Sequence, residues 1–315
     1  MEQLCFGVDV GGTAVKVGLF NADGMLLNKW DFPTRKTGDG KDILKDAAEF
    51  INRKLQELEI EKEDIIGVGV GVPGPVKDNG EVQELPNLGI GHFNIEEEMG
   101  ELTGLKVKGG NDANVAALGE LWQGGGKGHR NMVFITLGTG VGGGIILNGT
   151  ILSGASGAAG EIGHIFVNKD ETEHCGCGKR GCLEQYASAT GIIRLAKNIM
   201  NNSDEPSALR QITDISAKTV FDYAKEGDKL ALRAVEKACF YLGMALAHVA
   251  QVIDPEVFVL GGGVSKAGTI LTETVKKEYN KYVMDALKNR DFKLATLGND
   301  AGIYGSARLV LAHHK

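Results

Sequence analysis

Proline is scarce in this 315-residue chain, 6 against 46 glycines, which argues for many tight turns rather than disorder. Positive charge is also in deficit. The 34 Lys and Arg face 41 Asp and Glu, and the formal net charge of −7 weighs against nucleic acid or an anionic membrane as the main partner. A locally basic phosphate site is not excluded by that balance. Nowhere does a run of about 20 apolar residues occur, and no basic-then-apolar stretch opens the chain, so neither a membrane span nor a signal peptide is expected. A Walker A sequence is missing too, because Gly126-Lys127 is followed by Gly128 rather than Ser or Thr. Linkers and low-complexity segments are absent, and Asn201 to Ser207 reads as the most mobile surface loop. A cytoplasmic enzyme is the class these absences leave in front.

What is present begins with a glycine turn between two apolar runs. Phe6 to Val10 ends on Asp9, Gly11-Gly12-Thr13 makes the turn, and Ala14 to Phe20 follows. This reads as a β-hairpin that brings a carboxylate and bare backbone amides to one sheet edge, suited to a magnesium nucleotide. The shape returns as Val133 to Leu137, Gly138-Thr139-Gly140 and Val141 to Leu147. Two copies of one hairpin predict a duplicated domain holding nucleotide phosphates between them. The length allows roughly two domains of about 150 residues, and a hydrophobic content of 43% supports a sizeable core.

Between and beyond the hairpins, helices and strands alternate, which is the α/β class. Helical spacing covers Ile43 to Leu58, and a charged break at Glu61 to Asp64 leads into the buried-strand run Ile65 to Val72, ended by Pro73-Gly74-Pro75. A short strand is predicted at Leu105 to Lys108 and a helix at Ala113 to Trp122. Apolar steps of three and four from Leu232 to Ile253 mark a buried helix stopped by Asp254-Pro255. A strand at Val257 to Leu260, the turn Gly261-Gly262-Gly263 and a helix from Gly302 to Ala312 complete the chain. Gly69 to Gly74 and Gly138 to Gly143 satisfy G-x-G-x-x-G, but neither opens a helix, so neither is read as a dinucleotide turn.

Two constellations carry chemistry. Asn111-Asp112 lies at a strand exit, where an aspartate is placed to take a proton from an attacking hydroxyl; the competing reading is a helix N-cap. Cys175, Cys177 and Cys182 crowd together, as three of five cysteines, and without a secretion signal they point to metal rather than disulfides. Three thiolates and one imidazole make a closed tetrahedral zinc site, with His164 as the fourth ligand and His174 as its rival. Glu161 and Glu184 flank these ligands. Zinc would fix both carboxylates to grip adjacent sugar hydroxyls, against the plain alternative that both are solvated surface acids.

Taken together these motifs resemble the ROK family of sugar kinases (repressor, open reading frame, kinase), most closely its glucokinase branch. The resemblance runs end to end: D-x-G-G-T at Asp9 to Thr13, N-D at Asn111-Asp112, L-G-T-G-x-G-G-G at Leu137 to Gly144, G-E-x-G-H at Gly160 to His164, and C-x-C-G-x-x-G-C-x-E at Cys175 to Glu184. It implies the duplicated actin/hexokinase-like (ribonuclease H-like) fold with an interdomain cleft. A smaller N-terminal domain would comprise 1–110 and 300–315, and a larger one, 111–299, would carry the zinc loop. It implies Asp112 as general base toward the sugar 6-hydroxyl, with Asn111, Glu161, His164 and Glu184 on the other hydroxyls and Gly74, Asn87 and Leu88 bordering the sugar. Gly11, Gly12, Thr13, Thr139 and Gly140 would cradle ATP phosphates, Asp9 would position Mg2+ through water, Gly261 to Gly263 would line the adenosine, and Lys16 is a candidate phosphate contact. His164, Cys175, Cys177 and Cys182 would hold structural Zn2+.

The implied reaction is ATP-dependent phosphorylation of D-glucose to glucose 6-phosphate, with domain closure excluding water, by a homodimer or homotetramer. The acidic stretch Asn168 to Glu173 departs from the family's pattern and is a candidate for tuning dimer contacts. Other ROK kinases, acting on N-acetylmannosamine, N-acetylglucosamine, fructose or allose, share most of the polar ring. A sugar-responsive repressor would need a DNA-binding domain ahead of strand one, for which the first few residues leave no room. A non-catalytic sugar-sensing protein is the remaining alternative.

Overall fold

The computed structural model describes residues 3–35, 42–82 and 91–313. In chain order the elements are β1 (Leu4–Val10), β2 (Ala14–Asn21), β3 (Leu26–Pro33), α1 (Asp42–Glu57), β4 (Ile65–Val72), β5 (Glu81–Val82), β6 (Phe93–Asn94), α2 (Ile95–Thr103), β7 (Val107–Asn111), α3 (Asp112–Gln123), β8 (Met132–Leu137), β9 (Val141–Leu147), β10 (Thr150–Ile151), α4 (Glu184–Ala187), α5 (Ala189–Asn201), α6 (Ala217–Lys225), α7 (Lys229–Ile253), β11 (Val257–Gly261), α8 (Thr269–Tyr282), β12 (Asp291–Leu294) and α9 (Ala301–Ala312).

The duplication read from the two hairpins is present in the topology. One five-stranded sheet has the order β3-β2-β1-β4-β7 and the other β10-β9-β8-β11-β12. In each, a meander of three strands is followed by two that extend the sheet from the meander's first strand. Parallel pairing joins β1 to β4, β4 to β7, β8 to β11 and β11 to β12. This is the α/β fold of the hexokinase type.

Alternation explains the first sheet. In β4, Ile-Ile-Gly-Val-Gly-Val-Gly-Val, every residue is buried, and successive side chains point to opposite faces. Val68, Val70 and Val72 pack in a core with Ile43, Leu44 and Ile51 of α1 and Ile95 and Met99 of α2. The glycine face meets α9. A Cβ on Gly69 would lie 1.7 Å from the Ser306 carbonyl oxygen, and one on Gly7 of β1 would lie 2.0 Å from that of Ile303. The glycines therefore let helix backbone rest directly on sheet backbone, and Ser306 Oγ donates to the Val8 carbonyl at 2.9 Å.

The chain divides into two compact units, one of Met1–Gly128, Gly144–Gly160 and Leu297–Lys315, the other of His129–Gly143 and Glu161–Thr296. The sequence expectation drew its boundaries at 110 and 300. Residues 111–128 pack with the first unit because α3 lies backbone to backbone on α9: a Cβ on Gly305 would sit 1.5 Å from the Val115 oxygen. In the second unit α7 supplies Val235, Cys239, Leu242 and Leu246 to a core with Val133, Ile135, Phe258 and Leu260. Asp228 caps its start by accepting from the amides of Leu230 and Ala231, and Asp254 ends it in a left-handed turn, φ 47°.

Most boundaries read from the sequence fall within a residue or two of those observed. β7 begins at Val107 rather than Leu105, because Gly104 (φ 69°) closes α2 and leaves 105–106 as a connection. Strands β3, β5, β6, β10 and β12 and helices α2, α4, α5, α6 and α8 were not read at all.

Candidate active site and metal centre

Because β1, β4 and β7 are parallel, their C-terminal ends share an edge of the first sheet, with Asp9 beside Gly71 and Val72 beside Asn111. Ligands of α/β sheets bind at such edges. Here Asn111 does cap a helix. Its Oδ1 accepts from the Asn114 amide at 3.0 Å, which begins α3. Its Nδ2 donates to the Gly74 carbonyl and to Asp112 Oδ1, each at 3.0 Å. Asp112 Oδ1 also accepts from the Ala113 amide at 2.8 Å. The cap and the functional reading are thus compatible: Asn111 starts the helix, borders Gly74 and fixes the half-buried Asp112 carboxylate.

Asp9 lies on the glycine face of β1, where a Cβ on Gly302 at the start of α9 would lie 2.5 Å from its carboxyl carbon. Burial raises its pKa above the ordinary value, opposed by Lys16 and reinforced by Asp300. Lys16 is its cross-strand partner, 3.9 Å away, and donates to the Asn299 carbonyl at 2.7 Å. The intervening turn is held by Gly11 N to Ala14 O at 3.1 Å and by the Thr34 hydroxyl on Gly11 O at 2.6 Å, leaving Gly12 and Thr13 exposed at its tip. Asn87 and Leu88 lie outside the described residues.

In the second unit the ends of β8 and β11 are neighbours, Gly261 pairing with Thr136. Gly262 has φ 80°, and a Cβ there would lie 2.4 Å from the Leu137 carbonyl oxygen. The Gly261 to Gly263 turn therefore rests on the segment that leads to Thr139 and Gly140. Glu184, the first residue of α4, accepts from the Val141 amide at 3.0 Å through Oε2. A Cβ on Gly140 would come within 2.3 Å of that oxygen. Glu184 Oε1 is 3.6 Å from Cys175 Sγ, so one carboxylate joins the glycine turn to the cysteine loop. Glu161 is half exposed, with Oε2 4.0 Å from His164 Nε2.

The four predicted metal ligands converge: one donor atom from each of His164, Cys175, Cys177 and Cys182 lies within 4.8 Å of every other. Cys177 and Cys182 sulfurs are 3.6 Å apart, and Cys175 Sγ is 3.7 Å from His164 Nδ1. A tetrahedron with Zn–S bonds of about 2.3 Å has edges of about 3.8 Å, so the cage fits zinc. Burial raises the Cys175 thiol and pushes Cys182 up to about 12, whereas the Lys179 amide lowers Cys177. A cation is what would bring all three to thiolate. His174 is engaged elsewhere, Nδ1 with the Gly178 carbonyl at 3.0 Å and Nε2 with Arg180 Nη2 at 3.0 Å.

One structural acid escaped the sequence reading. Glu171, in the acidic stretch, accepts from Arg194 and the Tyr186 hydroxyl, each at 2.5 Å. It braces the cysteine loop against α4 and α5, within the chain. Nothing in its sequence neighbourhood separates it from Asp170 or Glu173; only the distant Arg194 does.

The ROK family pattern matches residues 5–313. A glucokinase of Halalkalibacterium halodurans is 43% identical over 309 residues, covering 96% of this chain and 94% of that one. One of Thermotoga maritima is 36% identical, over 96% of each chain. Among solved structures, a ROK family glucokinase of Streptomyces griseus in complex with glucose and AMPPNP superposes with TM-score 0.74 at 33% identity, covering 97% of this chain and 98% of that one. A ROK hexokinase of Thermus thermophilus gives TM-score 0.81, also at 33% identity, over 98% and 97%. With the duplicated sheets and the clustered motif residues, this match makes the chain a member of the ROK family.

Proposed function

We propose that this protein is an ATP-dependent hexose kinase that transfers the γ-phosphoryl group to the 6-hydroxyl of D-glucose. The observation that carries the reading is the Asn111-Asp112 pair at the exit of β7, a carboxylate oriented by a neighbouring amide, in a chain 43% identical to a glucokinase over nearly its whole length. Asp112 takes the hydroxyl proton as the oxygen attacks phosphorus. Catalysis otherwise rests on positioning and on charge stabilisation. Gly74, Asn111, Glu161, His164 and Glu184 orient the sugar hydroxyls, and Asn87 is assigned there on the motif alone. Once a bound sugar displaces their water, carboxylates and amides of this kind discriminate against substrates that lack a matching hydroxyl.

Gly12, Thr13, Thr139 and Gly140 hold the phosphates through backbone amides, Gly11 shapes their turn with its own amide on the Ala14 carbonyl, Lys16 adds a cation, and Gly261 to Gly263 border the adenosine. Asp9 would position Mg2+ through water, and the cation would neutralise phosphate charge. His164, Cys175, Cys177 and Cys182 would hold Zn2+, whose part would be structural, fixing the loop next to Glu184, the residue that accepts from the Val141 amide beside the phosphate turn. No helix among the described residues is long and apolar enough to cross a membrane, and the cytoplasm supplies both substrates.

ADP release from Mg-ATP across glucose, mannose, fructose, allose, N-acetylglucosamine and N-acetylmannosamine tests the reading. Strong preference for glucose is expected. Preference for an N-acetylhexosamine would replace the substrate and keep the base and metal assignments. Silence on the whole panel, with zinc bound, would remove the kinase reading.

A further inference from the structure

Between β8 and β9 the chain turns through Gly138, Thr139 and Gly140, and most backbone polar groups of this turn are engaged within the second unit. The Gly138 amide donates to the Gly140 carbonyl at 3.0 Å. The Gly138 carbonyl accepts from the Ala189 amide at 2.8 Å, and the Thr139 carbonyl accepts from the Thr190 hydroxyl at 3.1 Å. The Val141 amide donates to Glu184 Oε2 at 3.0 Å. Two consecutive amides, those of Thr139 and Gly140, have no acceptor among the described residues.

The direction of these two amides follows from the carbonyls beside them. In a planar trans peptide the C=O and the N–H point opposite ways. The Gly138 carbonyl shares its peptide with the Thr139 amide, and the Thr139 carbonyl shares its peptide with the Gly140 amide. Both carbonyls are held toward Ala189 and Thr190, the first two residues of α5, so both amides are turned away from that helix. Successive N–H groups arranged in this way form an anion-binding concavity. Each of the two peptides has a glycine on one side, whose wide conformational range would otherwise let it turn over.

The start of α5 is itself fixed. Ser188 is fully buried and caps the helix by accepting from the Gly191 amide at 3.0 Å. Its Oγ donates to the Glu184 carbonyl at 2.6 Å and lies 2.9 Å from Thr190 Oγ1. Thr190 is exposed, so removing its hydroxyl opens no cavity in the core.

Resting on the kinase reading above, we infer that Thr190 is a positioning residue for the nucleotide. Its hydroxyl holds the Thr139 carbonyl and so aims the Gly140 amide at a phosphate of ATP, while the adjacent Ala189 amide does the same for the Thr139 amide. Thr190 acts through the turn rather than on the substrate.

The test uses the full chain and two variants. Thr190→Val keeps the size and branching and loses the hydroxyl, whereas Thr190→Ser keeps the hydroxyl. Initial rates are measured against Mg-ATP at saturating glucose and against glucose at saturating Mg-ATP, with Tm read for each protein. Thr190→Val is expected to raise KM for Mg-ATP by about 3- to 10-fold, the loss of one hydrogen bond, with KM for glucose and Tm unchanged. Thr190→Ser is expected to return KM for Mg-ATP to the parent value. A role in stability alone would lower Tm and leave no selectivity between the two substrates. An unchanged KM for Mg-ATP in Thr190→Val overturns the inference, as does an equal rise in both KM values or a serine variant no better than valine. Calorimetric titration of Mg-AMPPNP into the parent and Thr190→Val separates this inference from the kinase reading. A parent that binds AMPPNP but phosphorylates no sugar removes the kinase reading, and the ratio of the two dissociation constants still decides the part of Thr190. A parent that binds no nucleotide overturns both.

Discussion

At the scale of single residues, the geometry separates chemistry from support. Asp112 is held by the Asn111 amide and the Ala113 N–H, so Asp112→Asn keeps the shape and loses the proposed base. Turnover is expected to fall by about 10²- to 10⁴-fold, with glucose affinity, measured by calorimetry, within a few-fold of the parent. Near-normal turnover would remove Asp112 from its role. Gly140 makes the complementary case. Its missing side chain leaves room for Glu184 Oε2, 2.3 Å from where a Cβ would be. Gly140→Ala should displace that carboxylate, raise KM for glucose, and cost about 1–3 kcal/mol in denaturant unfolding.

Elements carry the next level of constraint. α9 comes from the end of the chain yet covers the glycine face of β1 and β4 and meets α3 backbone to backbone. Gly305→Ala puts a methyl 1.5 Å from the Val115 oxygen, which side-chain rotation cannot relieve. A loss of about 3 kcal/mol or more is expected, read as a lower denaturation midpoint; a variant as stable as the parent would contradict the packing described. With the proposed zinc bound, the cysteine loop should behave as a unit in the same way. Stripping the cation should release His164 and the Cys175 contact of Glu184, weaken glucose binding and lower Tm, with both restored by zinc. Unchanged affinity and Tm after verified removal would argue against a structural metal. The hairpins, β4 and α7 were legible in the sequence because each has a dense local period or a turn with its own chemistry. β3, β12 and α8 were not, since their half-exposed patterns acquire meaning only against a partner element.

For the molecule as a whole, pH stability follows from Glu171. The Arg194 hydrogen bond holds its carboxyl at about 2, against an ordinary 4.5. A depressed carboxyl stabilises the fold above its unfolded pKa, and that contribution is lost as pH falls through 4.5 toward 2. At pH 7, the parent should therefore exceed Glu171→Gln by about 1.5–3 kcal/mol in urea unfolding. The difference should shrink between those two pKa values. A gap that is constant with pH would mean the ion pair contributes only shape.

The sequence alone was enough to point to the α/β duplication, the Asn-Asp pair and the three-cysteine cluster. Each is written in short local motifs, so spacing and residue chemistry suffice. Tertiary structure decided what depends on residues far apart in the chain. It excluded His174 from the cage by engaging it with Gly178 and Arg180, made Glu171 a structural acid by bringing Arg194 to it, and set α9 on the glycines of β1 and β4. It also left the buried Asn114 amide oxygen in α3 without a partner among the described residues. Local sequence specifies which groups are available; only chain folding brings distant backbone within two or three ångströms and removes water, and at that range partners, pKa values and vacancies are settled.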